Sequence, residues 1–446
     1  MSNFYKNINW TIKIGSKERQ KKYLLFFIYI MSICLAYIWV LSPTYSYSLL
    51  TYRPNTIKLC LSVVLILITL AFIPSDEDKP STFLFYIYFS ITYIPTATYY
   101  WLNDQPTPFI VYETVCVLLI AFVVKWNAKP IQMSTNRAKV LIQLIFFIYI
   151  ISCIYLVLHN GGIHLNSIIS DIYSVRSENN ISGLSGYLLN WCAKSFMPLF
   201  FVYFFIKRKW VGVFLTSVLQ AILFFSYGFK AFIVAVIMLI GVSALMMHPE
   251  KFKERWMIIL SFGNVICTIF AKLFSLVFIN LYSYRTLILP AQGQFEYYDF
   301  FTHHDFLYFS EGSIGKLFGI QYPYSESIGR IVNYYIYSGT KISNGNTGAL
   351  SYGFADLGFG GMLLAALAIG IVFVIVDSTT KNLPKLITVG AMAYQMFILN
   401  DNNILICINT GGIFWTIIML IIISSLYSSI TQNQRVSIFP QESVSD

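Results

Sequence analysis

Long apolar runs with very few charged residues constrain this chain more than any other feature of its sequence. A helix of about 20 apolar residues spans the hydrocarbon core of a bilayer, and the runs have that length. We predict about twelve membrane-spanning helices. Their ranges are 23–42, 57–74, 82–101, 109–125, 139–158, 187–206, 210–226, 229–247, 256–282, 347–376, 385–400 and 403–427.

Composition supports the same fold class. The chain of 446 residues is 57% hydrophobic and only 11% charged, whereas soluble domains carry about 25% charged residues. A soluble fold could not bury this much apolar surface. The runs are continuous and do not alternate, which excludes a β-barrel. We therefore predict an all-α polytopic membrane protein that forms a single integral membrane domain over 1–446.

The positions of the basic residues predict the orientation of the chain. If the N-terminus is cytoplasmic, 20 of the 30 Lys and Arg residues fall in cytoplasmic segments, 8 in outer segments and 2 within spans. Cytoplasmic loops of membrane proteins carry this excess of positive charge. We expect both termini to be cytoplasmic, and we interpret the net charge of +10 as an orientation signal rather than a nucleic-acid site.

Two outer loops are large, at 159–186 and at 283–346, and the second is the only long polar segment. The cytoplasmic connections are short, and no phosphate-binding glycine loop is present, so we expect no nucleotide hydrolysis. All 7 cysteines lie in apolar runs, so we expect no disulfide and no cysteine metal site. The basic N-terminal segment lacks a signal-peptide cleavage site, and the first span should be retained.

Five ionisable residues lie in or beside the spans, and all fall toward the outer side. They are Glu113, Lys194, Lys230, Lys272 and Asp356. An ionisable group in a bilayer costs a few kcal/mol or more unless it faces protein or water. This bias predicts an outward-facing polar cavity. Alternatively, these residues pair with one another and hold the bundle together, and Lys230 extends to the membrane interface.

Arg176, Arg285 and Arg330 are three of the few arginines predicted on the outer side. A guanidinium donates two parallel hydrogen bonds to phosphate oxygens and stays protonated at physiological pH. These residues are candidates for binding a lipid pyrophosphate, with Lys272 and Lys194 as further cations. The alternative is that they are ordinary loop residues.

The triplet His303-His304-Asp305 is the densest titratable cluster of the second loop. Any of the three could act as a general base toward a sugar hydroxyl. Adjacent histidines rarely bind one ion without distant ligands, so we expect no metal and no other cofactor. Tyrosines of the same loop, Tyr298 among them, suit sugar faces and the membrane interface equally well.

The order of motifs from 282 to 365 resembles the O-antigen polymerases (Wzy), the oligosaccharide repeat-unit polymerases. The resemblance is carried by Arg285 after a span, the aromatic segment 297–301 (Tyr-Tyr-Asp-Phe-Phe), Tyr-Pro-Tyr-Ser at 322–325, and the segment 352–361, which enters a helix. Span number, length and two large outer loops agree over the whole chain. Many members carry an Arg followed at a fixed interval by Gly, and the glycines after Arg176 and Arg330 stand at shorter intervals.

The resemblance implies a glycosyltransferase at the outer, periplasmic face of a bacterial inner membrane. It would transfer a growing glycan from undecaprenyl pyrophosphate to a new lipid-linked repeat unit. The implied catalytic residues are Arg285 and one of His303, His304 and Asp305. The residues implied for binding pyrophosphate or sugar are Arg176, Arg330, Lys272, Lys194, Tyr298 and Asp356.

The resemblance also implies partners: undecaprenyl-pyrophosphate-linked oligosaccharides, membrane lipids and a protein that regulates chain length, with no nucleic acid. Three alternatives stay open. A lipid-linked oligosaccharide flippase would show internal repeats and charges near the midplane, and neither is seen. An O-antigen ligase would use the same donor with another acceptor. A structural or channel-forming protein has no need of a long loop rich in Arg, His and Tyr.

Overall fold

The computed structural model describes residues 17–164, 179, 181, 183–339, 344–381 and 383–438. In these residues the chain is helical, and the only β-type pairing is an isolated bridge between Arg53 and Asn103. The main helices are α1 (Lys17–Thr44), α2 (Thr56–Phe72), α3 (Pro80–Ile91), α4 (Tyr93–Leu102), α5 (Thr107–Val123), α6 (Thr135–His159), α7 (Gly183–Ile206), α8 (Trp210–Tyr227), α9 (Ala231–Leu245), α10 (Phe252–Leu273), α11 (Leu289–Phe301), α12 (Ser313–Phe318), α13 (Ile328–Ile336), α14 (Ala349–Thr380), α15 (Lys385–Leu399), α16 (Ile404–Ile408) and α17 (Ile413–Ile438).

The described residues contain 7 helical segments that are long and apolar enough to cross a membrane. Four further apolar helices, α2, α5, α9 and α15, are shorter. The predicted class, an α-helical membrane protein, is confirmed at this level. The number of crossings stays a prediction, because a helix of 15 residues such as α9 is only about 23 Å long at 1.5 Å per residue.

The predicted span 82–101 is two helices, α3 and α4, that meet at Thr92. The break follows from Pro95, which has no N–H to donate to the carbonyl of Ile91. The Asn400 side chain donates to that carbonyl instead, over 3.4 Å. A distant polar residue therefore satisfies the backbone group that the proline leaves free.

The predicted span 256–282 is also interrupted. Helix α10 ends at Leu273, and a new helical turn begins at Val277, whose N–H donates to the Ser275 hydroxyl over 3.4 Å. A serine hydroxyl that accepts a nearby backbone N–H competes with the hydrogen bonds of a continued helix, and so favours a break here.

Several lysines lie together at one end of the bundle. Lys79 donates to three carbonyls just after the end of α5. Three ion pairs lie at this end: one joins α1 to α10, and two join a helix to the loop before α3. The pairs are Lys21–Glu254, Lys253–Glu77 and Lys385–Asp78. The start of α3 is held to the end of α14, because the Ser81 N–H donates to the Asp377 carboxylate over 2.9 Å. We call this the basic end.

Helices α5 and α14 pack closely along their length. At Gly370 a β-carbon would stand 2.8 Å from the Val123 side chain, so the contact requires a residue without a side chain. Small residues allow this close approach of helices in membranes. Helix α14 is thereby held at the centre of the bundle, and its first turns reach the end opposite the basic loops.

The segment 283–346 does not begin as an irregular loop. A π-helical stretch, Asn280–Ile288, continues directly into α11, whose first residues are buried. Gln292 donates to the carbonyl of Ser48 over 2.7 Å, and Gln294 donates to the Thr96 hydroxyl over 2.9 Å. The glutamines look like loop residues in the sequence, but inside the bundle their side-chain N–H groups donate to distant partners, while their Oε1 atoms have no hydrogen-bond partner among the described residues.

Candidate functional site

Helix α14 breaks at Leu357 and Gly358, close to its outer end. Gly358 has φ +60° and ψ −144°, a conformation that only glycine adopts readily. The break frees two carbonyls. The N–H groups of Leu307 and Tyr308 donate to the carbonyls of Ala355 and Asp356, over 2.8 and 3.0 Å. The loop after α11 is therefore anchored on the kink of α14.

Asp356 is buried and serves this anchor with its side chain. One carboxylate oxygen accepts from the Phe309 N–H over 3.2 Å, and the other accepts from the Asn403 side chain over 3.3 Å. The Asn403 Oδ1 in turn accepts from the Leu405 N–H at the start of α16. The predicted substrate-binding residue Asp356 thus positions the loop that carries His303, His304 and Asp305.

The anchored loop forms the wall of two adjoining cavities. The first, about 570 Å³, is lined by Phe301, Thr302, His303, His304, Asp305, Phe306, Tyr324 and Phe354. The second, about 1010 Å³, is lined by Phe300, His304, Pro323, Tyr324, Ser325, Glu326, Arg330, Ile331, Tyr334, Tyr335, Ser338 and Gly339. His304 and Tyr324 belong to both. We call the two cavities together the groove; their volumes suit a ligand of several sugar units.

His304 is held in a defined orientation between aromatic rings. Its ring stacks on Phe300 with centroids 4.0 Å apart and meets the edge of Tyr335 at 4.9 Å. Its Nδ1 lies 2.9 Å from the carbonyl of Phe300. A carbonyl oxygen can only accept, so Nδ1 carries the proton and Nε2 presents its lone pair. This is the arrangement that a general base requires.

His303 and Asp305 flank this residue and are exposed. His303 Nδ1 donates to the carbonyl of Asp299 over 2.8 Å, so its Nε2 is also an acceptor. The carbonyl of Asp305 accepts from the Tyr324 hydroxyl. Burial, and after it the Asp305 charge, raises the pKa of Tyr324 to about 12. Tyr324 is therefore a hydrogen-bond donor at neutral pH.

Arg330 enters the groove from α13. Buried Ile328 and Val332 hold one face of this helix against the bundle, and Arg330 lies on the exposed face. Its only ion pair in the described residues is with Glu326, over 3.7 Å, and both side chains are more than half exposed. Such a pair contributes on the order of 0–1 kcal/mol. The guanidinium is thus available to an anionic ligand.

Two predicted cations stand outside the groove. Arg285 lies on the π-helical stretch, exposed, and its Nε donates to Asn280 over 3.2 Å. Its charge acts on Tyr45, whose ring stacks on Tyr284. Lys272 is exposed at the end of α10. Neither lines the groove, so the structure does not bring these two cations to the histidines.

Tyr298 is half-buried behind the groove. Its ring lies 5.6 Å from Phe109 and 5.0 Å from Phe354, within an aromatic cluster that supports the kink of α14. Arg176 and most of the predicted loop 159–186 lie outside the described residues.

The alternative interpretation, that the ionisable residues of the spans pair with one another, is wrong for the described residues. No ion pair joins Glu113, Lys194, Lys272 and Asp356. Asp356 bonds to amides, as described above. Glu113 is fully buried in α5, and neither of its carboxylate oxygens has a hydrogen-bond partner in the described part of the chain.

Sequence reasoning missed a polar group around Lys194. Gln395 donates to the carbonyl of Lys194 over 2.7 Å. Lys194 and Asn346 both act on the Asp401 carboxyl, the first by its charge and the second by hydrogen bonding. The signal was present: four polar residues, 400–403, separate two apolar helices. The sequence predicts for them only the boundary between the spans 385–400 and 403–427.

No group of three or more His, Cys, Asp or Glu residues in the described ranges could hold a metal ion. No protein-family model, no curated protein and no solved structure matches this chain.

Proposed function

We propose that this protein polymerises oligosaccharide repeat units carried on undecaprenyl pyrophosphate, by glycosyl transfer at the outer face of a bacterial inner membrane. The observation that carries the proposal is the groove itself. It brings Arg330 of α13 and His304 of the loop after α11 to one pair of adjoining cavities rimmed by aromatic rings. These residue types match a donor that is anionic at one end and sugar at the other.

The orientation follows from the charge distribution. The groove lies at the end of the bundle opposite the basic end, and the basic end carries Lys79, Lys253 and Lys385. Because basic loops stay in the cytoplasm, the groove would face the periplasm. Lipid-linked repeat units would then reach it from the outer leaflet.

The reaction assigned to the groove is a displacement at the anomeric carbon of the donor glycan. A hydroxyl oxygen of the acceptor unit bonds to that carbon, and the carbon–oxygen bond to the pyrophosphate breaks. The bonding electron pair leaves with the pyrophosphate, and the hydroxyl proton passes to Nε2 of His304. The Arg330 guanidinium stabilises the negative charge that develops on the leaving group. No nucleotide or metal is required for this balance.

Deletion of the gene in its native host, with complementation, tests the proposal. A polymerase predicts acceptor lipid capped by a single repeat unit after deletion. The wild-type gene restores the ladder of longer glycans, and Arg330→Ala, present at a normal level in the membrane, does not.

Other outcomes would overturn the proposal. Repeat units that accumulate on the cytoplasmic side would indicate a flippase. Full-length chains that stay on the carrier lipid would indicate a ligase. An unchanged ladder after deletion would remove the chain from this process.

A further inference from the structure

The two cavities of the groove differ in the charged side chains that line them. Among the described residues, the second cavity is lined by Arg330 and Glu326, whereas the first is lined by Asp305 and by no Lys or Arg. Asp305 is exposed, and its hydrogen bond to Tyr324 uses the main-chain carbonyl and not the carboxylate. The negative charge of Asp305 is therefore open to a ligand in the first cavity.

The other polar side chains on the wall of the first cavity offer hydrogen-bond acceptors. Nε2 of His303 and Nε2 of His304 each carry a lone pair, because Nδ1 of each ring donates to a main-chain carbonyl. The Thr302 hydroxyl donates to the carbonyl of Asp299 over 2.8 Å, so its oxygen is left to accept. A ligand that fits this wall has to supply the hydrogen-bond donors.

The helix ends at the two cavities carry opposite partial charges. Helix α11 ends at Phe301, and this residue and those that follow it line the first cavity. Helix α13 begins at Ile328, and its first turn brings Arg330 to the second cavity. The C-terminal end of a helix carries a partial negative charge, and the N-terminal end carries a partial positive charge. The backbone therefore disfavours an anion in the first cavity and favours one in the second.

Aromatic rings form the apolar side of the first cavity. The rings of Phe301 and Phe306 lie nearly parallel, at an interplanar angle of 12° and with centroids 6.3 Å apart. Phe354 meets the Phe306 ring edge-on at 6.0 Å. Tyr324 meets the Phe301 ring in the same way at 6.4 Å. The C–H face of a sugar ring can pack on these apolar rings while its hydroxyls donate to the acceptors of the wall.

We propose that the first cavity binds the acceptor sugar and selects a neutral or amine-bearing sugar over an acidic one. Asp305 determines this specificity, because its carboxylate accepts from a hydroxyl or an ammonium group and repels another carboxylate. The donor pyrophosphate then lies in the second cavity with Arg330, and His304 stands between the two reactants because it lines both cavities. The assignment of the bound sugar to the acceptor rests on the proposed function; the selection against an acidic sugar does not.

Thermal unfolding of the full chain in detergent, with EDTA present, tests this selection without requiring turnover. One probe is the repeat-unit oligosaccharide released from the host's carrier lipid by mild acid. The other is the same oligosaccharide after oxidation of its primary hydroxyls to carboxylates. We expect the native probe to raise the Tm, because a ligand of the folded state stabilises it. The oxidised probe should require roughly tenfold more for the same shift, since its carboxylate meets Asp305.

Asp305→Asn removes the charge and keeps an acceptor of the same shape. The concentration ratio between the two probes should then fall by at least about threefold. Asp299→Asn is the matched control, because Asp299 is exposed but lines neither cavity, and it should keep the wild-type ratio. Each titration is repeated in an Arg330→Ala background, so that carboxylates do not bind in the second cavity. If Asp305→Asn does not fold, Asp305→Ser replaces it.

Three results would overturn the inference. The first is a probe ratio that is the same in the wild type and in Asp305→Asn. The second is a native probe that leaves the Tm unchanged. The third is a native repeat unit whose non-reducing terminal sugar is acidic.

The outcome is separate from that of the deletion experiment. An unchanged ladder after deletion, together with a probe ratio that falls in Asp305→Asn, would overturn the proposed function and keep the sugar site. A polymerase phenotype together with an unchanged ratio would keep the proposed function and overturn the selection by Asp305.

Discussion

Asn403 donates a hydrogen bond to the Asp356 carboxylate over 3.3 Å and so connects the kink of α14 with the start of α16. Asp356→Asn places one amide opposite another, and Asn403 cannot rotate without losing the acceptor that caps Leu405. We expect a loss of roughly 1–3 kcal/mol in the free energy of unfolding, seen as a lower Tm in detergent.

The exchange Asp356→Asn/Asn403→Asp provides the control for this pair. It restores a donor facing an acceptor and keeps an acceptor for the Leu405 N–H. The double variant should therefore recover most of the lost Tm. A double variant less stable than Asp356→Asn would show that the carboxylate acts through another contact.

Gly358 adopts a backbone conformation with φ +60° that a residue with a β-carbon adopts only under strain. A β-carbon there would also stand 3.3 Å from the Phe306 ring. Gly358→Ala should cost roughly 1–3 kcal/mol and lower the Tm. Gly360→Ala is the matched control, because its β-carbon meets nothing within 4 Å, and it should leave the Tm unchanged. Equal effects would show that the kink is not strained.

These two sites show what the sequence could and could not predict. The apolar runs predicted the helices because apolar residues in a bilayer leave the backbone no other way to satisfy its hydrogen bonds. The same reasoning failed for α11. Gln292 and Gln294 suggest a loop when the sequence is considered alone. In the structure they donate to Ser48 and Thr96, which the sequence does not show to be neighbours.

The site was predictable in its residue types but not in its grouping. His304 and Arg330 were candidates by their chemistry, and the structure places both in the groove. Arg285 was a candidate by the same chemistry and lies elsewhere. Which of these residues reaches the groove depends on the fold of the loop after α11. Backbone hydrogen bonds to the kink of α14 fix that fold. Asp401 was missed because its significance depends on Lys194, which is distant in the sequence.

His304→Phe tests the general base. Phenylalanine retains the ring between Phe300 and Tyr335 and loses only the hydrogen bond from Nδ1 to the Phe300 carbonyl, so we expect a small decrease in Tm. The rate of glycan extension should fall by roughly 100- to 10,000-fold, the usual contribution of a general base. His248→Phe, at the basic end, is the control and should keep the wild-type rate. If His303→Phe abolishes extension and His304→Phe does not, the base is the neighbouring histidine.

Arg330→Ala tests the stabilisation of the leaving pyrophosphate. We expect the rate to fall by roughly 100- to 1,000-fold, as for other groups that stabilise developing charge. Arg330→Lys should recover only part of the lost rate, because an ammonium cannot provide two parallel hydrogen bonds. Arg53→Ala, an exposed arginine at the same end, is the control. A wild-type rate in Arg330→Ala would exclude this role.

Asp401 gives the stability a defined pH dependence. Burial raises its pKa from 3.8 to about 6 in the folded protein, so the folded protein keeps this proton to a higher pH than the unfolded chain does. The contribution of Asp401 to stability therefore falls as the pH rises from about 4 to about 6. The Tm of the wild type, relative to that of Asp401→Asn, should decrease over this range. A constant or increasing difference would contradict the assignment.

The most direct measurement is polymerisation by the purified protein in liposomes that contain only the undecaprenyl-pyrophosphate-linked repeat unit. Glycans released over time are sized by mass spectrometry. We predict products of two, three and more repeat units for the wild type and for Arg53→Ala, with release of undecaprenyl pyrophosphate. For Arg330→Ala and His304→Phe we predict product formation that is slower by roughly 100-fold or more. A folded wild-type protein that leaves the single units unchanged, or an Arg330→Ala variant that forms products at the wild-type rate, would contradict the proposed function.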